Sequence, residues 1–172
     1  MGHVSVSEFI NATPAQVWAV LADVTRMPAW AYTEGRFPYP IEGKYGSDQA
    51  EGVGTLWVGV SSDGQTATQK ITVWEAPTKL VNELQSSENA PLEMTQINTF
   101  ELAAAEDQTE ITWTVDWELT GGFSLSKLLM RFTGNGSFEE MIAGSLENLK
   151  DLVEKETKPG EAAAAEQETP AE

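Results

Sequence analysis

Gln96 and Asn98 are the residues of this chain best placed to do chemistry. They lie in the run Leu92–Ala104, where Glu93, Thr95, Thr99 and Glu101 suit a wet face. That leaves Met94, Gln96, Asn98, Phe100 and Leu102 on the other face, pointing inward. Two primary amides then enter an apolar interior, and each costs about 1–3 kcal/mol if it finds no partner. Polar groups of a ligand, or cavity water, would bond them. The alternative is a reversed face, or a bulge that turns both to solvent.

Other chemistries are poorly provided for. Cys is absent and His3 is the only histidine, so neither a Ser-His-Asp nor a Cys-His constellation can be assembled. His3 also sits at the chain start, where fraying is common. A transition-metal site would need carboxylates alone. Asp116, Glu118 and Glu110 alternate onto a wet face and read as solvation, so neither a metal nor a cofactor is expected. The Gly-rich stretch has no Gly-Lys-Ser/Thr ending and opens no helix after a buried strand, so it does not read as a phosphate cradle. Arg36, Lys70, Tyr32 and Tyr39 could each orient a carbonyl, with solvent exposure the simpler reading. Trp18 and Trp30 read as packing residues. Gly121-Gly122-Phe123 reads as a strand-to-helix turn that could also hinge an entrance. Catalytic residues stay unassigned.

The elements that must position these residues are legible in outline. His3–Ile10 alternates loosely as a strand. Thr13 is a good N-cap and Pro14 suits the first helical position, so a helix carrying Val17, Trp18 and Leu21 runs to near Asp23. A short helical piece follows at Thr25–Ala29. Residues 35–54 are punctuated by Gly and Pro and predict a loop-rich region, with at most one irregular strand near Tyr32–Tyr39. Regular strands follow at Thr55–Val60, Thr66–Glu75, Lys79–Gln85, Leu92–Ala104 and Thr109–Leu119. An Asp-Gly hairpin turn at Ser62-Asp63-Gly64 joins the first two of these, and Ser86–Pro91 reads as a loop. Strands evenly spaced by short turns imply an antiparallel meander. In the last strand Ile111, Trp113, Val115, Trp117 and Leu119 alternate strictly with polar residues. From Ser124 to about Glu156 the period becomes helical, through Leu128, Phe132, Phe138, Ile142, Leu146, Leu149 and Val153. Gly134 and Gly136 each weaken that helix by about 1 kcal/mol relative to Ala, which suggests a kink or break. Residues 158–172 are acidic and Ala-rich with nothing to bury, and read as a disordered tail.

Composition narrows the partners. The chain has 172 residues and a formal net charge of −17. Such a field repels phosphate backbones and anionic lipid surfaces, so no nucleic acid is expected. The N-terminus does not read as a signal peptide, and no apolar stretch approaches the ~18 residues of a membrane span. Cytoplasmic location, no membrane insertion and a monomer or weak dimer are the expectations.

The order strand, two helices, six strands, long helix resembles the helix-grip fold of the START/Bet v 1-like (SRPBCC) superfamily, in particular its polyketide cyclase/dehydrase and lipid-transport branch. Ile10 with Ala12-Thr13-Pro14, Val17-Trp18, Leu21-Ala22-Asp23-Val24 and Met27-Pro28 to Trp30 carry the likeness. It continues through Gly52-Val53-Gly54-Thr55, Ile71-Thr72-Val73-Trp74-Glu75-Ala76-Pro77 and Ser145-Leu146-Glu147-Asn148-Leu149-Lys150. The resemblance implies an α+β fold over residues 1–157. A curved antiparallel sheet of about seven strands would wrap the long C-terminal helix, with two short helices after the first strand. It further implies an internal ligand cavity, for which Gly134, Gly136, Ala143 and Gly144 are candidate wideners. Trp57, Met94, Gln96, Asn98, Phe100, Trp113, Val115, Trp117, Phe132, Phe138 and Ile142 are the candidate lining residues. The competing reading has Trp57, Trp113 and Trp117 filling that space. The leading function is binding or transport of a small hydrophobic molecule such as a lipid, isoprenoid or polyketide-like compound. The alternatives are a cyclase or dehydratase without covalent nucleophile or metal, and an interaction module related to chaperone activators.

Overall fold

Strict alternation makes β7 (Gln108–Leu119) a strand with one buried and one wet face, and Ile111, Trp113, Val115 and Trp117 are all buried. It pairs on one side with β1 (Gly2–Ile10) and on the other with β6 (Met94–Ala105). The meander runs on through β5 (Lys79–Glu88), β4 (Thr66–Glu75), β3 (Leu56–Ser61) and β2 (Pro40–Tyr45). The result is one seven-stranded antiparallel sheet in the order β1-β7-β6-β5-β4-β3-β2. Bulges in β4 and β2 interrupt the register and increase local bend and twist, so the sheet curls into a half-barrel. The fold is α+β and helix-grip-like. The computed structural model describes residues 1–31, 39–88, 93–121 and 125–158, with the side chains of 86–88, 125–129 and 131–132 outside that description.

Helix α1 (Pro14–Leu21) begins at a capping box: the Thr13 hydroxyl accepts from the Gln16 backbone N–H, and the Gln16 side-chain Oε1 accepts from the Thr13 backbone N–H. The helix stops earlier than the sequence suggests. Asp23 instead caps a 3-10 turn at Val24–Arg26, its carboxylate accepting from the Thr25 N–H at 2.9 Å. The four-residue helix α2 (Met27–Trp30) follows. Helix α3 (Leu125–Thr157) lies across the concave face, its most extensive sheet contact being β1. It buries Phe138, Ile142, Leu146, Leu149 and Val153. Its C-terminal half is tied down by Lys150 to Glu8 at 2.8 Å, by Glu154 accepting from Asn11, and by Arg26 to Glu156.

Three local expectations need revision. A strand occupies Pro40–Tyr45, inside the stretch expected to be loop. Gly43 is the reason: a Cβ there would fall 1.9 Å from the Val24 carbonyl oxygen, so this glycine marks close backbone approach and not a turn. The loop expected from Ser86 is still strand as far as Glu88. Finally, helical pairing is unbroken from Leu125 to Thr157 through Gly134 and Gly136. A Cβ on Gly134 would sit 2.5 Å from the Trp117 ring, so that glycine serves packing. Residues 32–38 of the strand suggested near Tyr32–Tyr39, Gly122-Phe123 of the suggested hinge and nearly all of the tail lie outside the described residues.

Candidate ligand cavity

The two amides singled out above do lie on the concave side, and they bond to each other. Asn98 is paired in register with Asn82 on β5, and both are 2% exposed. Gln96 Nε2 donates to Asn98 Oδ1 at 3.0 Å, and Asn98 Nδ2 donates to Asn82 Oδ1 at 2.8 Å. The Trp113 indole sets the direction of this chain. An indole N–H only donates, and it reaches Asn98 Oδ1 at 3.2 Å. That contact fixes oxygen on one side of the Asn98 amide and nitrogen on the other. The order then propagates: Gln96 must present nitrogen to Asn98, and Asn82 must present oxygen. An amide NH2 on Asn82 and a carbonyl on Gln96 remain at the two ends, neither with a hydrogen-bond partner among the described residues.

Both ends border a cavity of about 180 Å³. Its aromatic walls are Trp30, Trp57, Phe100 and Trp113. Trp30 meets Trp113 and Phe100 edge-on, with ring centroids 6.0 and 6.5 Å apart, while Phe100 and Trp113 tilt together at 4.8 Å. Met27, Ala31, Pro40 and Met141 border the side nearest the helices. Small residues also border it: Gly59 and Ala67 face each other across β3 and β4, and Ser145 lies on α3. A Cβ on Gly59 would fall 2.9 Å from Met27 Cε, so that glycine admits the Met27 side chain to the wall. None of the cavity's described lining residues is ionisable; Ser61 and Gln69 are its remaining polar members. The indole nitrogens of Trp30 and Trp57 are buried without an acceptor, each at a cost of about 1–3 kcal/mol.

The structure thus divides the expected lining residues. Trp57, Gln96, Asn98, Phe100 and Trp113 border this cavity, whereas Met94, Val115, Trp117, Phe138 and Ile142 do not. Val115 and Ile142 are wholly buried in the packed core. Trp117 is stacked on Phe138 at 5.5 Å and donates to Asn135 Oδ1 at 3.2 Å. The Phe132 side chain lies outside the described residues. Gly134, Gly136, Ala143 and Gly144 do not widen this cavity, since none of them borders it. Lys70 and Tyr39 are exposed, and Tyr32 and Arg36 lie outside the described residues. Asn82 and Ser145 were missed. A signal for Asn82 existed: Leu80 and Asn82 continue the inward row of β5, so it is a third inward amide beside two others. Trp18 packs edge-on against Trp74 at 5.2 Å. Trp30 both packs and borders the cavity.

Neighbouring ionisable groups belong to the frame. The Tyr45 hydroxyl donates to Asp23 Oδ1 at 3.2 Å, and burial, reinforced by that carboxylate, pushes the phenol above its usual range. The bond to Glu8 holds Lys150 protonated to higher pH than an ordinary lysine. Among the described residues no group of three or more His, Cys, Asp and Glu could hold a metal ion.

A curled seven-stranded sheet gripping a long C-terminal helix is the helix-grip arrangement. The chain belongs to the polyketide cyclase/dehydrase and lipid-transport family, whose model matches residues 1–154. No curated protein matches the sequence. Solved structures share the fold. A conserved protein from Geobacillus kaustophilus is 14% identical, with a TM-score of 0.70 over 90% of this chain and 96% of its own. TTHA0849 from Thermus thermophilus is 16% identical, with a TM-score of 0.70 over 91% and 100%. XoxI from Bacillus cereus is 17% identical, with a TM-score of 0.61 over 89% and 96%.

Proposed function

We propose that residues 1–157 bind and carry a small hydrophobic molecule in the cavity between the sheet and α3. The observation carrying this reading is a space of about 180 Å³ whose described lining is rich in aromatics and carries no charge, with Gly59 and Ala67 on its sheet wall. Apolar pockets with a few placed polar groups are the usual form of ligand sites. Family membership supports the same class, and lipids, isoprenoids and polyketide-like compounds are its candidate ligands. The interaction-module alternative calls for an exposed apolar patch and no cavity, and a space of this size counts against it. A cytoplasmic setting, compatible with the Cys-free chain, belongs to the same reading.

Native mass spectrometry of freshly purified protein tests the proposal, together with a thermal-shift panel of hydrophobic compounds. A ligand at about a hundred times its dissociation constant adds ~2.7 kcal/mol of stability. A protein that purifies empty and is stabilised by no compound would end the carrier reading.

A cyclase or dehydratase remains the second reading, favoured by the directed amide chain at the cavity wall. Such an enzyme would fold a reactive chain in the pocket and use one polar group to assist proton transfer. Gln96→Leu and Asn98→Leu should then abolish turnover while ligand is still bound. Unchanged turnover would remove both residues from the mechanism.

A further inference from the structure

We infer that the occupant of the cavity is an uncharged, single-ring-sized compound that accepts hydrogen bonds, such as an aromatic ketone, and is not a carboxylate or an amine. The inference rests on the carrier reading above and narrows it. Size comes first. A cavity of roughly 150 Å³ takes one benzene, so about 180 Å³ suits one substituted ring.

The described wall argues against charge, since none of its residues could pair with an anion or a cation. Burying an unpaired charge costs far more than burying a neutral polar group. The net charge of −17 adds long-range repulsion of anions.

The direction of hydrogen bonding is decided by the amide chain. Trp113 orients it so that the free NH2 belongs to Asn82 and the free carbonyl to Gln96. Gln96 is only half-buried, so water can answer its carbonyl, whereas Asn82 is 2% exposed. The unmet group is therefore a donor, and what it lacks is an acceptor carried in by the ligand. A carbonyl supplies two lone pairs and needs no counter-charge.

The test compares four probes of nearly equal shape by isothermal titration calorimetry: acetophenone, ethylbenzene, benzoate and benzylammonium at pH 7. Acetophenone should bind about tenfold more tightly than ethylbenzene, the equivalent of one net hydrogen bond. Neither ion should bind measurably. Equal binding of acetophenone and ethylbenzene would overturn the polar part of the inference. Benzoate or benzylammonium matching acetophenone would overturn the charge part. In each of these cases the carrier reading survives. If all four fail while native mass spectrometry finds a larger co-purified ligand, the size argument is wrong and the carrier reading again stands. If all four fail and the protein also purifies empty, both readings fall. Asn82→Leu, checked for retained fold by circular dichroism, should erase the preference for acetophenone over ethylbenzene. A retained preference would remove Asn82 from the site, and the probe series on the unaltered protein decides the matter if that variant does not fold.

Discussion

Trp113 and Trp117 stand on the same face of β7, four residues apart, yet one borders a hollow and the other is wedged solid. Trp117 fits between Gly2 and Gly134, where added Cβ atoms would come within 2.3 and 2.5 Å of its ring. Its N–H is answered by Asn135 on α3 and its ring by Phe138. Trp113 bonds equally well, to Asn98, and packs on Phe100. The strand is the same and both indoles are satisfied. What differs is the opposite wall: α3 closes on Trp117 at Gly134 and covers its ring with Phe138, whereas Trp113 borders a space that Gly59, Ala67 and Ser145 also line. A cavity in this fold is set by what stands across from the strand, with no change in the strand that carries its most conspicuous aromatic.

The comparison is sharpened most by removing the wedge. Trp117→Ala should destabilise the protein by about 3–5 kcal/mol, as large-to-small core changes do where the surroundings cannot collapse. Urea denaturation measures it. Acetophenone binding by the folded fraction should persist, because Trp117 is not part of the cavity wall. A loss below ~1 kcal/mol would mean the wedged end is looser than its geometry indicates.

Asn98→Leu comes next, and it strikes the hollow end. Leucine has nearly the same bulk but leaves the Trp113 N–H without its acceptor and separates Gln96 from Asn82. The expected loss is about 1–3 kcal/mol, set by polar groups left unpaired in a buried place. Cavity water could relieve part of it, so a value near the lower bound, recovered on adding acetophenone, would identify a wet hollow. Denaturation with and without the probe separates the two cases.

These two residues also mark what was legible in the sequence. The period-2 pattern of β6 and β7 placed Gln96, Asn98, Phe100, Trp113 and Trp117 on one face, because alternation follows directly from strand geometry. The order of elements, with the family resemblance, gave the helix-grip arrangement and the long helix. Alternation cannot say what stands across the sheet, since that depends on curvature and on residues fifty positions away. The cavity was therefore sought at the glycines of α3, when Gly134 is closed by Trp117 and the space lies against β3 and β4 at Gly59 and Ala67. Gly43 misled for a similar reason. A glycine demanded by close approach to the Val24 carbonyl reads, in one dimension, like a glycine that ends a strand.

Gly134→Ala tests the wedge from the helix side, where two effects oppose. Alanine in a helix interior gains up to about 1 kcal/mol over glycine. Its Cβ would sit 2.5 Å from the Trp117 ring, and overpacking of this kind costs about 1–3 kcal/mol. The second effect should win, leaving a net loss of about 1 kcal/mol in urea denaturation. Combining Gly134→Ala with Trp117→Leu should reverse the sign of the glycine substitution, since the ring that forbids the methyl is gone. An unchanged sign would detach Gly134 from Trp117.

The smallest effect belongs to the hollow and runs the other way. Ala67 lies on β4 opposite Gly59 and is one of the residues bordering the cavity. Ala67→Leu places three more carbons there. Near Trp117 an added carbon meets an aromatic ring and destabilises; here it meets vacancy, so it should stabilise by about 0.5–1 kcal/mol, the usual gain from filling a cavity. The same carbons occupy the volume a single ring would take, so acetophenone binding should vanish as stability rises. That opposed pair of outcomes separates a ligand cavity from a packing flaw, because filling a flaw would raise stability with no binding to lose. If the unaltered protein binds acetophenone and Ala67→Leu binds it equally well, the site lies elsewhere, and Gly59 and Ala67 no longer explain where this fold is open.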